Sequence, residues 1–282
     1  MSVENPLGHH TVYPSVYDAT LLFPIKRTES RDKLGLSGEL PFQGNDRWTA
    51  YEVSWLDESG KPQVRVAEFI VACDSPNIIE SKSFKLYLNS FNQTVFAQEN
   101  DVVSVMSNDL SVAAGAAVLV NLLPLDDALP LAVSQPIGQC IDDLPVNALN
   151  YEPKPELLSV STTEKVSELV YSHLLKTNCP VTDQPDWATV FIEYSGFKID
   201  HSGLLAYIIS FREHQDFHEN SVERLFCDLK RFCKPDQLTV YARYTRRGGL
   251  DINPLRTSYK MEAANGEPAS QLISQVLRTI RQ

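Results

Sequence analysis

The stretch Glu80-Ser81-Lys82-Ser83-Phe84-Lys85-Leu86-Tyr87, continued by Leu88 and Phe91, decides how the rest of the chain is read. Its apolar residues Phe84, Tyr87, Leu88 and Phe91 recur at i, i+3, i+4 and i+7, which is the period of an amphipathic helix starting near Ser81 or Ser83. Lys82 and Lys85 fall on the other face. Upstream, Tyr51, Val53 and Trp55 alternate with Glu52 and Ser54, a turn signal follows at Asp57-Glu58-Ser59-Gly60, and Val64 to Val71 reads as a second strand. A hairpin therefore precedes the helix. Downstream, a second helix spans roughly Asp101 to Ala113 and a short buried strand runs from Ala116 to Leu123. The order is strand, strand, helix, helix, strand.

That order returns after a proline-rich connector. Between Pro124 and Pro155 lie six of the 17 prolines, with the acidic pairs Asp126-Asp127 and Asp142-Asp143 and enough apolar residues to suggest that the segment packs on something. Strands are expected at Leu169 to Lys176 and Ala188 to Tyr194, and helices at Leu204 to Phe211 and from about Ser221 to Cys233. In the latter, Asn220 with Glu223 resembles a capping box. Leu238 to Thr245 and Leu250 to Thr257 complete a repeated β-β-α-α-β-β plan, and Ser270 to Gln282 reads as a terminal amphipathic helix. The expected organisation is an arm over residues 1–46, a first module over 47–140, and a connector with a second module over 141–282. Two halves with one element order and little shared sequence suggest a duplication whose site sits where halves or copies meet.

Composition sets limits on function. A chain of 282 residues with 43% hydrophobic and 22% charged residues is a folded globular protein, most naturally of two domains. Its net charge of −11 offers no basic surface for a phosphate backbone, so a small molecule is the expected ligand, with neither nucleic acid nor membrane as a partner. The 5 cysteines are odd in number and contain no CxxC pair, which excludes a complete internal disulfide framework. With no basic-then-apolar leader from Met1 to Tyr13, the expected compartment is the reducing cytoplasm.

Several residues are candidates for chemistry. In Asn178-Cys179-Pro180-Val181-Thr182-Asp183-Gln184-Pro185-Asp186-Trp187, two prolines shape a loop that holds a thiol and a carboxylate. Cys179 and Asp186 could be a nucleophile and its proton carrier, or a buried thiol and a turn-forming aspartate. Neither GxGxxG nor GxxxxGK[ST] occurs, so a nucleotide would be held by other means. Arg246-Arg247-Gly248-Gly249 offers two guanidinium groups before a flexible backbone, and Ser81-Lys82 a helix start; a solvated strand end is the alternative for the arginines. His218-Glu219 could bind a ligand or form a surface capping pair. Glu80 could accept hydrogen bonds from a guanine-like ring or complement a helix dipole. No metal site is expected, because the 6 histidines are not spaced with cysteines as zinc requires.

Taken together, the Glu80 to Tyr87 signature, the Asn178 to Trp187 loop, His218-Glu219 and the run Tyr241 to Pro254 resemble the NADPH-dependent nitrile reductases of queuosine biosynthesis, in their long two-module form. The likeness extends to Tyr17-Asp18-Ala19-Thr20-Leu21-Leu22-Phe23-Pro24 in the arm. It implies an α+β fold of tandem tunnelling-fold modules, each an antiparallel sheet with two helices on one face, assembled as a homodimer. It also implies reduction of the nitrile of 7-cyano-7-deazaguanine to an aminomethyl group by two NADPH through a covalent thioimide. Carried over, Cys179 is the nucleophile and Asp186 the proton donor. Ile79, Glu80, Ser81, His218 and Glu219 hold the deazaguanine, and Ser81, Lys82, Arg247 and Gly248 contact NADPH. The competing expectations are a cyclohydrolase or pterin-processing hydrolase of the same superfold, or a non-catalytic purine-binding protein.

Overall fold

A single sheet of eight strands organises the computed structural model, which describes residues 13–127, 132–147, 150–259, 270, 272 and 278–282. The elements are β1 (Pro24–Lys26), α1 (Thr28–Lys33), β2 (Gln43–Leu56), β3 (Pro62–Ala72), β4 (Asn77–Ile79), α2 (Ser81–Ser90), α3 (Glu99–Ala114), β5 (Val118–Leu123), β6 (Gln139–Cys140), β7 (Val160–Asn178), β8 (Pro185–Ile199), α4 (His201–Ser210), α5 (His218–Phe232), β9 (Gln237–Tyr244) and β10 (Leu250–Thr257). Strands lie in the order β5-β3-β2-β10-β9-β8-β7-β6, while β1 and β4 form a separate pair. Every ladder of the large sheet is antiparallel except the two-residue pairing of β6 with β7. The two runs of strands join at β2 and β10, paired from Leu250↔Ala50 to Thr257↔Gln43.

Alternation along the strands puts α2 to α5 on one face. Trp48 and Ala50 of β2 and Leu250 and Ile252 of β10 pack with Phe84, Tyr87 and Phe91 of α2 and Val102, Met106 and Leu110 of α3. Val190 and Ile192 of β8 and Val240 and Ala242 of β9 pack with Leu204 and Ile208 of α4 and Val222, Leu225 and Leu229 of α5. Burial of each such side chain is worth about 1.5–3 kcal/mol, far more than helix propensity supplies. The neighbours of opposite parity, Phe191, Tyr241 and Leu255, form a smaller cluster with Leu272 on the other face. This is the expected α+β plan, with two helices over each run of antiparallel strands. The connector packs as expected too: Ile141 and Leu158 belong to the second core.

Some expectations need correction. β7 and β8 extend well beyond the expected strands, because their outer ends are polar and only half-covered, and register shifts between Val160 and Lys165 and between Ser172 and Leu175 break the alternation that marks a strand. Helix α5 begins at His218 rather than near Ser221, and Asn220 and Glu223 are not a capping box. The Asn220 amide donates to Asp216 Oδ1 (2.8 Å) and Ser30 Oγ (2.6 Å). Glu223 is instead the centre of a buried ion cluster, in which Arg31 (2.8 Å) and Arg256 (2.9 Å) reach its Oε1, while Asp46 takes Arg256 (2.7 Å) and Arg27 (2.6 Å). Polar residues at a helix start look alike in sequence whether they cap or are buried. The terminal helix expected over Ser270 to Gln282 lies largely outside the described residues, and residues 278–282, which are described, turn rather than coil into a helix.

Candidate active site

Cys179 sits at the tip of the β7–β8 hairpin, and a bulge decides which way it faces. Val170 of β7 packs against the helix-side core, and after the shift between Ser172 and Leu175 the odd-numbered Leu175 takes that side. With the parity reversed, Thr177 and Cys179 face the helices, as does Asp186, which pairs with Thr177. The tip closes through Cys179 N–H to Gln184 O (2.9 Å) and Asp183 N–H to Cys179 O (2.9 Å), with Asp183 at φ 57°. The loop then wraps the sulfur. Burial alone pushes the Cys179 thiol up, but hydrogen bonds from the Thr182 hydroxyl, the Val181 and Thr182 backbone N–H groups and Arg247 outweigh it, and the thiol lies below its ordinary value.

Asp186 is buried between two basic groups. Its Oδ1 is 3.2 Å from Arg247 Nη1 and its Oδ2 is 3.3 Å from His218 Nε2. The imidazole of His218 lies flat on Tyr244, with ring centroids 3.7 Å apart and planes 2° apart. Polar atoms here are incompletely satisfied: His218 Nδ1 is shut from water without a hydrogen-bond partner, and Arg247 Nη1 meets Asp186 without hydrogen-bond geometry. A structural cluster minimises such atoms, whereas a binding site carries them for a ligand.

Cys179, Asp186, His218, Glu219, Ile79 and Ser81 line one cavity with Lys85, Arg247 and Leu250. Residues 139 positions apart in the chain thus meet in one protomer, because the β2–β10 seam brings the α2 and α5 starts together. The free space is about 30 Å³, room for one or two waters, so a bicyclic base enters only if these side chains shift. Glu219 is 2% exposed, so it is not a surface residue. Burial first, and then the Asp46 carboxylate, push its carboxyl up to about 7 against the opposing pull of His218 and Arg27.

In the first-half wall Glu80 caps α2, its carboxylate accepting from Lys82 N–H (2.9 Å) and Ser83 N–H (2.7 Å). It lines an outer cavity with Ser81, Lys82, Cys179, Arg247 and Gly248 rather than the inner one. The entry to α2 is fixed by Phe23, just before β1, since Glu80 N–H donates to Phe23 O (2.9 Å) and Phe23 N–H to Ser83 Oγ (3.1 Å). Lys85 is a site residue that sequence reading assigned to an outer face. It reaches over Gly248, and burial, aided by the charge of Arg247, depresses its ammonium. The i, i+4 spacing from Ser81 was the signal for it.

The two arginines part company. Arg247 turns to Asp186, whereas Arg246 lies over the Tyr51 ring at 4.9 Å, so the expected pair of guanidinium groups is one. Gly248 and Gly249 adopt φ 59° and 73°, and a Cβ on Gly249 would meet the Glu52 carboxyl carbon at 2.8 Å. This turn, with Lys82, Lys85, Asn89, Asn92 and Gln93, borders a groove of about 690 Å³ next to the Cys179 cavity.

Comparison with known proteins places the chain in a class. Residues 13–122 match the family described as nitrile reductase, 7-cyano-7-deazaguanine-reductase N-term, and residues 185–263 match the family described as QueF-like protein. A relative from Bordetella avium, named NADPH-dependent 7-cyano-7-deazaguanine reductase, is 56% identical over 90% of this chain and 93% of its own length. Proteins of the same name from Hydrogenovibrio crunogenus (53% identical, 90% of this chain, 92% of its own) and Burkholderia multivorans (56%, 90%, 93%) agree. The chain belongs to the NADPH-dependent 7-cyano-7-deazaguanine reductase family.

Proposed function

We propose that this oxidoreductase reduces the nitrile of 7-cyano-7-deazaguanine to an aminomethyl group, a four-electron step in queuosine biosynthesis, through a thioimide on Cys179. The carrying observation is that Cys179 and buried Asp186 line one cavity, with hydrogen bonds from Thr182, Val181 and Arg247 holding the thiol below its ordinary value. An ordinary thiol is only a few per cent thiolate at neutral pH, so a sulfur held by backbone N–H groups and Arg247 is the better nucleophile. In this reading sulfur adds to the nitrile carbon, Asp186 takes the thiol proton and delivers it to the nitrile nitrogen, and the resulting C=N carrying sulfur accepts hydride readily. Reduction gives a thiohemiaminal, sulfur departs to leave an imine, and a second reduction gives the amine. Its enclosed cavity keeps water from the imine.

The deazaguanine lies against Ile79, Glu80 and Ser81 and takes its polar edge to His218 and Glu219; Glu80 also holds the Ser81 helix start. Glu219 serves as the ring acceptor when ionised. NADPH, when bound, supplies the hydrides. The chain suits it: Lys82, Lys85 and the Gly248-Gly249 turn offer cations and close backbone approach along the groove, with Ser81 and Arg247 at its inner end. The reading includes the arm at 1–46, modules at 47–140 and 141–282, and a cytoplasmic homodimer acting on a small molecule without nucleic-acid or membrane partners; no helix among the described residues is long and apolar enough to cross a membrane.

Intact mass spectrometry after incubation with 7-cyano-7-deazaguanine alone tests the covalent step. An adduct of the substrate's mass is expected on the wild-type chain and none on Cys179→Ala. Active protein that never carries the adduct would overturn the thioimide.

A further inference from the structure

The far edge of the sheet carries a second cysteine cluster that the reaction does not use. In a parallel pair equal steps along two strands stay level, so the pairing of Cys140 with Tyr171 brings Asp142 level with His173. Ile141 N–H donates to Tyr171 O (3.1 Å) and His173 N–H to Asp142 Oδ2 (3.0 Å), which fixes this register. One ligand atom from each of Cys140, Asp142 and His173 then lies within 4.8 Å of the others. A tetrahedral zinc at ligand distances of about 2.0–2.3 Å sets its donors about 3.3–3.8 Å apart, so small rotamer changes close the set.

Two further observations point to a cation. Asp142 Oδ1 is shut from water with no hydrogen-bond partner, an arrangement that is costly unless something occupies it. The neighbouring base Arg281 donates its Nη1 to the His173 carbonyl at 2.9 Å, and its charge also acts on Asp142. Meanwhile the ligands are oriented from behind: His173 Nδ1 meets Thr189 Oγ1 at 2.8 Å, the ring packs edge-on to Tyr171, and the Tyr171 hydroxyl bonds Cys140. Outer partners of this kind are what hold metal ligands in place. Cys140 is exposed, which leaves an entry path and room for a water as fourth ligand.

We propose that Cys140, Asp142 and His173 bind one divalent transition-metal ion of the zinc type. Thiolate with imidazole selects zinc or cobalt(II) over magnesium or calcium. The site is separate from the reaction centre, since His173 and Cys179 are roughly 20 Å apart along β7 at about 3.3 Å per residue. Its consequence is mechanical: the ion clips the proline-rich connector to β7 and closes that edge of the sheet.

Cobalt(II) titration of the full chain, stripped with chelator and carrying Cys179→Ala to remove the reaction-centre thiol, provides the test. Expected are one equivalent bound per chain and a thiolate-to-cobalt charge-transfer band, displaced by zinc and untouched by magnesium. The band should vanish in the added Cys140→Ser, which alters only an exposed side chain, and Asp142→Asn should weaken binding by about 10-fold or more. Uptake well below one equivalent, or a band that survives Cys140→Ser, overturns the proposal. Neither result bears on the thioimide, which is read by mass at Cys179.

Discussion

Two charged clusters lie on the helix side of the same sheet, barely more than one turn of α5 apart, and they are built to opposite rules. Around Glu223 and Asp46 the ion pairs are mostly short: Arg27, Arg31 and Arg256 each reach a carboxylate within 2.6–2.9 Å, and only Arg27 Nη1, 4.0 Å from Glu223, lacks a hydrogen bond. Around Asp186 the approaches are 3.2 and 3.3 Å, His218 Nδ1 has no hydrogen-bond partner, and His218, Arg247 and Asp186 line a cavity. The first cluster ties α1, β2, β10 and α5 together; the second is held loosely enough for a ligand to rearrange it. The lesson is that burial and charge do not identify a site, whereas incompletely satisfied burial next to open space does.

Cys179→Ala should abolish turnover while leaving the urea unfolding midpoint close to wild type; a large loss of stability would assign the thiol to the core. Asp186→Asn comes next, with kcat expected to fall about 10²- to 10⁴-fold, the usual worth of positioned proton transfer, and substrate affinity nearly kept. An unchanged kcat would remove the carboxylate from the proton path.

In the scaffold cluster the effect moves from rate to stability. Glu223→Ala leaves buried arginines uncompensated and should cost about 3–5 kcal/mol in denaturant unfolding. A loss comparable to that of a surface pair would show that the cluster is not structural. Glu219, between the two, should report pH. Its folded carboxyl is raised from 4.5 to about 7, so the native state holds more protons across that window and stability falls as pH rises through it. Substrate binding should move oppositely, strengthening as Glu219 ionises near pH 7, and Glu219→Gln should flatten both profiles. Smallest is the contrast between the arginines. Arg246→Ala should lose only about 0.5–1 kcal/mol from its contact with Tyr51. Arg247→Ala should raise the pH midpoint for alkylation of Cys179, because it removes a donor from the sulfur.

Much of this was legible in the chain. The Phe84, Tyr87, Leu88, Phe91 stripe became the buried face of α2, and the hairpin before it became β2 and β3, because short-range periodicity is enforced by burial on one side. Residue types at the site were legible as well: Cys179, Asp186, His218, Glu219, Ile79, Ser81 and Arg247 line one cavity. What the residues could not show was direction. A bulge between Ser172 and Leu175 turns Cys179 to the helix side, Arg246 and Arg247 diverge onto opposite faces, and Glu80 spends its carboxylate on a helix start.

By itself, then, the sequence determined the element order, the α+β class, the family and the chemical identity of the groups at Cys179 and Asp186, since local pattern and side-chain type are properties of the chain. Only the tertiary structure decided that the two runs of strands share one sheet through β2 and β10, that the Glu80 to Tyr87 helix and the Cys179 loop meet in one protomer, and that Glu219 is dry. Those outcomes depend on long-range pairing and on the local dielectric, and both are set by residues far away in the chain.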